Sequence, residues 1–126
     1  TMTRWLSALA NDSAVASTFI QSLPRPGEGT LERRFRNNRP KNELRGKSGY
    51  IRNVRCLSGY VIDEKGRAVA FSILANDVPA GEEDQAALQL HEQVVSLIDG
   101  YLNRDGAPRP ASDAKPARGS GAKPRR

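Results

Sequence analysis

Apolar residues near the start of the chain recur every three to four positions, which is the spacing of one face of a helix. Residues 3–10 resemble the end of an amphipathic helix. Residues 13–23 predict a second helix, because Asn11 or Asp12 offers a side-chain cap just before an apolar repeat. A Pro- and Gly-rich loop follows, so the N-terminal part of the chain is expected to be helical with one irregular connection.

The middle of the chain changes to strand-like patterning. Thr30 is placed to cap a short helix over residues 31–35, and strands are then predicted over residues 44–51, 54–62 and 67–75. The second and third strands flank a Gly-containing turn, which indicates an antiparallel hairpin. The third strand is apolar almost throughout, as is typical of a strand covered on both faces.

A long helix is predicted after the sheet. Glu82, Glu83 and Asp84 supply negative charge at the positive end of its dipole. Apolar residues then recur at helical spacing and predict the face that packs on the sheet: Ala87, Leu90, His91, Val94, Leu97, Ile98 and Tyr101. Taken together, the pattern predicts an α+β fold in which helices flank an antiparallel sheet.

Residues 103–126 differ from the body in composition and charge. They contain no large apolar residue and hold seven Lys/Arg against two Asp, whereas residues 1–102 hold thirteen Lys/Arg against twelve Asp/Glu. Such a segment cannot bury enough apolar surface to offset its ordering entropy, so a disordered basic tail is predicted. The net charge of +6 therefore says little about the body.

Nine basic residues of the body form a strip in which Glu43 is the only acidic residue: Arg33, Arg34, Arg36, Arg39, Lys41, Arg45, Lys47, Arg52 and Arg55. The strip is either a solvated charged face or a surface for an anionic partner. A non-catalytic nucleic-acid- or cell-wall-binding module is thus an alternative function. No specific nucleic acid is expected, because only Tyr50 and Tyr60 lie nearby to stack on bases and no recognition motif occurs.

Cys56 is the only cysteine and His91 the only histidine, so the chain has no disulfide framework and no Cys-based metal site. Cys56 is predicted to be a small buried apolar residue, and His91 a structural residue of the last helix. No cofactor is expected. No transmembrane segment is predicted. The first residues lead into an ordinary helix rather than a signal peptide, as if cut from a longer protein.

The candidate chemistry lies on the first strand, in the triplet Lys47-Ser48-Gly49. The lysine supplies positive potential, the hydroxyl can bond a carboxylate, and the glycine lets a peptide approach the backbone closely. A Lys-Thr/Ser-Gly triplet on a sheet strand is the third signature of the penicillin-recognising serine enzymes.

Four segments around the triplet strengthen this interpretation: Phe19-Ile-Gln-Ser-Leu-Pro24, Glu28-Gly-Thr-Leu31, Leu57-Ser-Gly-Tyr60 and Gly66-Arg-Ala-Val-Ala-Phe-Ser-Ile73. In this order, residues 3–77 resemble the end of the class C, penicillin-binding-protein-4-type D-alanyl-D-alanine carboxypeptidases/endopeptidases. The resemblance implies a periplasmic or exported serine peptidase with the C-terminal part of a penicillin-binding-protein/serine β-lactamase-like fold. It also implies two partners, peptidoglycan peptides ending in D-Ala-D-Ala and β-lactams.

The resemblance assigns roles to four consecutive residues. Lys47 would be catalytic, near the nucleophile, and Ser48 would contact the terminal carboxylate of D-Ala-D-Ala. Gly49 would leave room for the peptide, and Tyr50 would belong to the substrate-binding set. Ser48 stands where Thr is usual and lacks the methyl group that holds a rotamer. Tyr50 stands where a small hydroxyl residue is common, so a pocket of different shape is expected.

The family also needs an upstream Ser-x-x-Lys and a Ser-x-Asn, because a serine attacks efficiently only beside a base. Ser-x-Asn does not occur, and Ser-x-x-Lys occurs only at Ser112 and Ser120, beyond the triplet. We therefore expect residues 1–102 to be the C-terminal part of a catalytic domain that requires the missing N-terminal part of the same enzyme. A non-catalytic scaffold or a degenerate pseudoenzyme is a further alternative.

Overall fold

The computed structural model describes residues 1–104. The helices are α1 (Met2–Asn11), α2 (Ala16–Ser22) and α3 (Glu82–Leu102), and a single 3₁₀ turn spans Gly29–Leu31. The strands are β1 (Glu43–Ile51), β2 (Val54–Ile62) and β3 (Ala68–Ala75). The predicted α+β class is confirmed. Apart from Asn103 and Arg104, the predicted tail lies outside the described residues.

The three strands form one antiparallel sheet in the order β1-β2-β3. The hairpin between β2 and β3 is confirmed. Its turn is closed by the Asp63 N–H, which donates to the Arg67 carbonyl at 2.9 Å, and Gly66 adopts the positive φ of 78° that the turn requires. Register places Ser48 opposite Leu57.

The two faces of the sheet contact different helices, since side chains alternate between faces along a strand. On the α3 face, residues of the sheet, α3 and the 3₁₀ region form the main core: Leu31, Phe35, Leu44, Leu57, Val61, Phe71, Val95 and Leu102. On the α1/α2 face, the hydroxyl of the buried Tyr60 donates to the Leu6 carbonyl at 2.6 Å. The Tyr60 ring meets that of Phe19 edge-on at 6.5 Å.

Polar anchors tie β1 to the helices on both sides. The buried carboxylate of Asp99 in α3 accepts the N–H groups of Lys41 and Asn42 at 3.0 and 2.9 Å, just before β1 begins. On the other face, the buried guanidinium of Arg45 donates to the carbonyls of Gln21 and Leu23, both at 3.2 Å. These bonds fix the N-terminal half of β1.

The predicted cap of the second helix is wrong. Asn11 lies in the last turn of α1, where its amide donates to the Ser7 carbonyl at 2.8 Å. The Asp12 carboxylate accepts the Ala14 N–H at 2.9 Å, so it closes a local turn and α2 begins only at Ala16. An aspartate that captures the N–H two residues later competes with helix capping in this way.

The short helix predicted over residues 31–35 does not form. Thr30 lies inside the 3₁₀ turn instead of capping a helix, and the chain leaves the helical region at Phe35, whose φ is 60°. Leu31 and Phe35 are nevertheless both buried, at 0% and 1% exposure. Their burial in the core, together with hydrogen bonds of Thr30 to β1 described below, outweighs the local helical preference.

The predicted inner face of α3 is partly wrong. Leu90, Leu97 and Tyr101 are 48%, 75% and 40% exposed, and the buried positions are Ala87, His91, Val95, Asp99 and Leu102. The helix is rotated about its axis relative to the predicted orientation, because its acidic residues, among them Asp99, form hydrogen bonds with groups on the sheet side. The spacing of apolar residues alone does not predict such polar contacts.

The prediction that the third strand is covered on both faces is also wrong for the described part of the chain. Only Phe71 of β3 is fully buried, and Leu74 is 63% exposed. Side chains alternate along β3, and Leu74 lies on the same face as Cys56 and Tyr60, the α1/α2 face, which is open at this end of the strand.

Candidate active site

β1 presents one free edge, because β2 pairs with only its other side. The preceding loop accepts hydrogen bonds from two N–H groups on this edge. The Gly46 N–H donates to the Pro24 carbonyl at 3.0 Å, and the Ser48 N–H donates to Thr30 Oγ1 at 3.3 Å. Alternation of the strand directs the N–H of Tyr50 to the same edge. The loop therefore covers the edge as far as Ser48 and leaves it open beside Tyr50.

Lys47 and Ser48 lie on opposite faces of the sheet. The exposed side chain of Lys47 belongs to the α1/α2 face, and its Nζ donates to the Ser48 carbonyl. The half-buried side chain of Ser48 belongs to the α3 face. The triplet thus places its ammonium and its hydroxyl on the two sides of one strand edge.

Ser48 and Thr30 make two reciprocal hydrogen bonds. Ser48 Oγ donates to the Thr30 carbonyl at 3.0 Å, while Thr30 Oγ1 accepts the Ser48 N–H at 3.3 Å. The Ser48 rotamer is therefore held by a hydrogen bond. This restraint replaces the one that the β-methyl of a threonine would supply.

Gly49 is required by close packing against β2. A Cβ at this position would lie 2.8 Å from the Sγ of Cys56, its cross-strand neighbour. Cys56, which was predicted to be buried, is half-buried, because it faces this side-chain-free stretch of β1. The backbone of Gly49 is correspondingly accessible.

Tyr50 is held by an ion pair between β2 and α3. The guanidinium of Arg55 lies 3.8 Å from the centroid of the Tyr50 ring and is bound in a bidentate manner by Asp84, with Nη2 and Oδ2 at 2.6 Å. This hydrogen bonding raises the pKa of Arg55 and lowers that of Asp84. Half of the tyrosine side chain stays exposed, so the ring is fixed on one face and open on the other.

The triplet lines a cavity of about 370 Å³ between β1, the 3₁₀ turn and α3: Thr30, Arg34, Lys47, Ser48, Gly49, Tyr50, Arg55, Cys56 and Leu88. Arg34 closes the side near α3, where its Nε lies 3.3 Å from Glu92 and its Nη2 donates to the Leu88 carbonyl at 3.1 Å. The structure thus brings all four predicted site residues to one concave surface.

The basic strip is not a continuous free cationic surface. Arg34, Arg45 and Arg55 are each paired with a carboxylate, and two of these carboxylates come from α3, far away in sequence. Counting charges along the strip missed this neutralisation. Lys47 has no carboxylate partner among residues 1–104.

His91 is fully buried on the inner face of α3, and neither of its ring nitrogens has a hydrogen-bond partner among the described residues. Burial lowers the pKa of His91 to about 4, and the nearby charges of Arg34 and Arg55 act in the same direction, against Glu92. The ring is therefore neutral near pH 7, and it occupies the core as an apolar group would.

A second cavity of the described part of the chain lies away from the triplet. This cavity of about 630 Å³ beside α2 is lined by Arg25, Glu43 and Arg45, whose charges pair with one another. Within residues 1–104, no cluster of side chains has the composition of a metal site, and no helix is long and apolar enough to cross a membrane.

Sequence reasoning missed three residues with charged or hydroxyl side chains that line the cavity: Thr30, Arg34 and Arg55. Arg34 and Arg55 had been counted only as members of the basic strip, and Thr30 only as a helix cap. The segment Glu28-Gly-Thr-Leu31 was part of the family resemblance, and its place upstream of the triplet was the signal that could have pointed to Thr30.

Comparison with known proteins agrees with this geometry. A family model described as the D-Ala-D-Ala carboxypeptidase 3 (S13) family matches residues 1–99. The chain belongs to this family. No solved structure matches the chain significantly.

Two curated relatives of this S13 chain carry names of the same kind. It is 30% identical over 118 residues to the D-alanyl-D-alanine carboxypeptidase of Actinomadura sp. (strain R39), covering 89% of the chain and 21% of that protein. It is 29% identical over 90 residues to the penicillin-sensitive carboxypeptidase A of Dictyostelium discoideum, covering 67% of the chain and 17% of that protein. The chain thus spans about a fifth of the length of these relatives.

Proposed function

We propose that residues 1–102 are the C-terminal part of the catalytic domain of a serine-type D-alanyl-D-alanine carboxypeptidase/endopeptidase. The observation that carries the proposal is the triplet of an S13 family member on an edge strand whose edge is open beside Tyr50. An extended peptide can add to such an edge through its main chain. The nucleophile and its base would come from a part of the enzyme upstream of Thr1.

In this proposal Lys47 is the catalytic residue that the chain contributes. Its ammonium, free of any described carboxylate, would stabilise negative charge or assist a proton transfer as the upstream serine forms an acyl-enzyme. The peptide would lie along the open edge, with Gly49 leaving room for its backbone. Ser48 would bind the terminal carboxylate of D-Ala-D-Ala, and Tyr50 would border the substrate.

The same chemistry would make the complete enzyme a target of β-lactams, which acylate the same serine. Cleavage of peptidoglycan peptides would place the enzyme in the periplasm or outside the cell. The paired state of Arg34, Arg45 and Arg55 favours this proposal over a nucleic-acid-binding module, since three cations of the strip are already engaged.

Labelled penicillin tests the proposal. The complete protein should form a covalent adduct on a serine upstream of Thr1, and the chain of residues 1–126 should form none, because Ser48 donates its proton to a carbonyl and has no orienting base. Mass analysis of the adduct locates the serine. An adduct on a serine of residues 1–126 would contradict the fragment proposal, and an unlabelled complete protein would contradict the enzymatic one.

A further inference from the structure

The hydroxyl with a free proton beside the triplet is that of Thr30. A carbonyl oxygen can only accept a hydrogen bond, so the Ser48 hydroxyl must donate its proton to the Thr30 carbonyl, 3.0 Å away. An amide N–H only donates, so Thr30 Oγ1 must accept from Ser48 and keep its own proton. No residue between 1 and 104 accepts that proton.

The charge of the cavity suits a single negative group. Its lining contains three cations, Arg34, Lys47 and Arg55, of which the two arginines are neutralised by Glu92 and Asp84. Lys47 leaves one unit of positive charge uncompensated among the described residues. A monoanion such as a carboxylate would restore neutrality, and a hydrogen bond to an ionised acceptor is roughly twice as strong as a neutral one.

We propose that Thr30 is a substrate-binding residue of this site and donates its hydroxyl proton to the terminal carboxylate of the peptide. This inference rests on the proposed function. The Ser48 N–H fixes the position of Thr30 Oγ1, so the donor is preorganised and little side-chain entropy is lost when the carboxylate binds. The carboxylate then meets a hydroxyl that needs no rearrangement, while Ser48 can add a second bond only by giving up the Thr30 carbonyl.

The test uses the complete enzyme and two competitive ligands, a D-Ala-D-Ala peptide with a free carboxylate and the same peptide as its terminal amide. Each is measured by its inhibition constant against acylation by labelled penicillin. Thr30→Val removes the hydroxyl and keeps the β-branched shape. It should weaken binding of the acid by about tenfold or more, as expected for a lost charged hydrogen bond, and leave the amide nearly unchanged.

Two variants serve as controls. Thr30→Ser keeps the donor and should keep the wild-type preference for the acid. Thr18→Val makes the same change on α2, at an exposed position away from the cavity, and should have no effect. If Thr30→Val lowers the thermal stability of the enzyme, Thr30→Ala provides a second measurement of the ratio between the inhibition constants of the acid and the amide.

The outcomes separate the two proposals. Failure of the wild-type enzyme to be acylated would contradict the proposed function itself. Normal acylation with an unchanged acid-to-amide ratio in Thr30→Val, or with an equal loss for both ligands, would overturn the role of Thr30 and leave the proposed function standing.

Discussion

The two faces of the sheet meet at one strand edge and differ in how far they are closed. On the α3 face, Ser48 and Tyr50 are held by hydrogen bonds, stacking and an ion pair that reaches into α3. On the α1/α2 face, Lys47 is exposed and its ammonium binds only a neighbouring carbonyl. Under the proposed function, this chain would supply the hydroxyl groups that bind the substrate carboxylate, and the exposed side of Lys47 would face the part of the enzyme that carries the nucleophile.

Replacement of Lys47 by alanine, on the open face, should have a larger effect than any of the other substitutions considered below. In the complete enzyme, Lys47→Ala should lower penicillin acylation and turnover of D-Ala-D-Ala peptides by about 10²–10³, the usual cost of removing a group that stabilises transition-state charge. Lys65→Ala, in the turn between β2 and β3, is the matched control. Wild-type rates in Lys47→Ala would refute the assignment of the lysine.

On the closed face, His91 should respond to pH. Its folded pKa of about 4 is below the usual 6.5, so the unfolded chain binds a proton that the folded chain does not. Above pH 6.5 the ring is neutral in both the folded and the unfolded chain, and the free energy of unfolding does not depend on this group. As pH falls from 6.5 towards 4, only the unfolded chain gains the proton, and the free energy of unfolding decreases by on the order of 3 kcal/mol.

An NMR titration of the ring, the single histidine of the chain, measures this pKa directly. His91→Met should remove that part of the pH dependence of stability between pH 6.5 and 4. A ring that titrates near 6.5 would show that the α3 face is open to solvent at this position.

Loss of the Ser48 hydroxyl should have a moderate effect. Ser48→Ala in the complete enzyme should weaken recognition of substrates with a free terminal carboxylate by about tenfold, since it removes a hydrogen bond to the charged ligand and the tie to Thr30. Ser48→Thr, which keeps the hydroxyl, should retain the wild-type kcat/KM. Equal losses for substrates with and without the carboxylate would show that Ser48 acts only through the fold.

The smallest effect is expected on the α1/α2 face. Tyr60→Phe removes the buried hydrogen bond to Leu6 and should lower stability by about 1 kcal/mol, or a few degrees in Tm, without changing the α3 face. Tyr101→Phe, at an exposed position of α3, should be neutral in the same thermal unfolding measurement. If Tyr60→Phe also changes the pKa of His91, the two faces are not independent.

Strand patterning predicted the sheet well: the strands expected over residues 44–51, 54–62 and 67–75 form with bounds within one residue, and Gly66 marks the turn. The triplet was found for the same reason, since a short motif on a strand is local information. The apolar spacing of α3 was less informative, because Asp84 and Asp99 orient the helix through partners 29 and 58 residues away in sequence.

The role of Thr30 shows a second limit. Thr30 precedes an apolar residue, as a helix cap does, but its hydroxyl and carbonyl are used eighteen residues later in the chain. Sequence patterns favour a local helix cap, because a contact between neighbouring residues loses no loop-closure entropy. Only the structure shows that Thr30 bonds to the edge of β1 instead.

The anchoring of α3 at two points has a consequence for strand register. Asp99 binds the backbone just before β1, and Asp84 clamps Arg55 beneath Tyr50 near its end. A slip of β1 by one residue would exchange its faces and turn Lys47 towards α3 and Ser48 away from it. Such a slip would pull the N–H groups of Lys41 and Asn42 away from Asp99 and move the Tyr50 ring off the Arg55 guanidinium, which Asp84 holds in place. Misregistered pairing that inverts the triplet is therefore destabilised near both ends of β1.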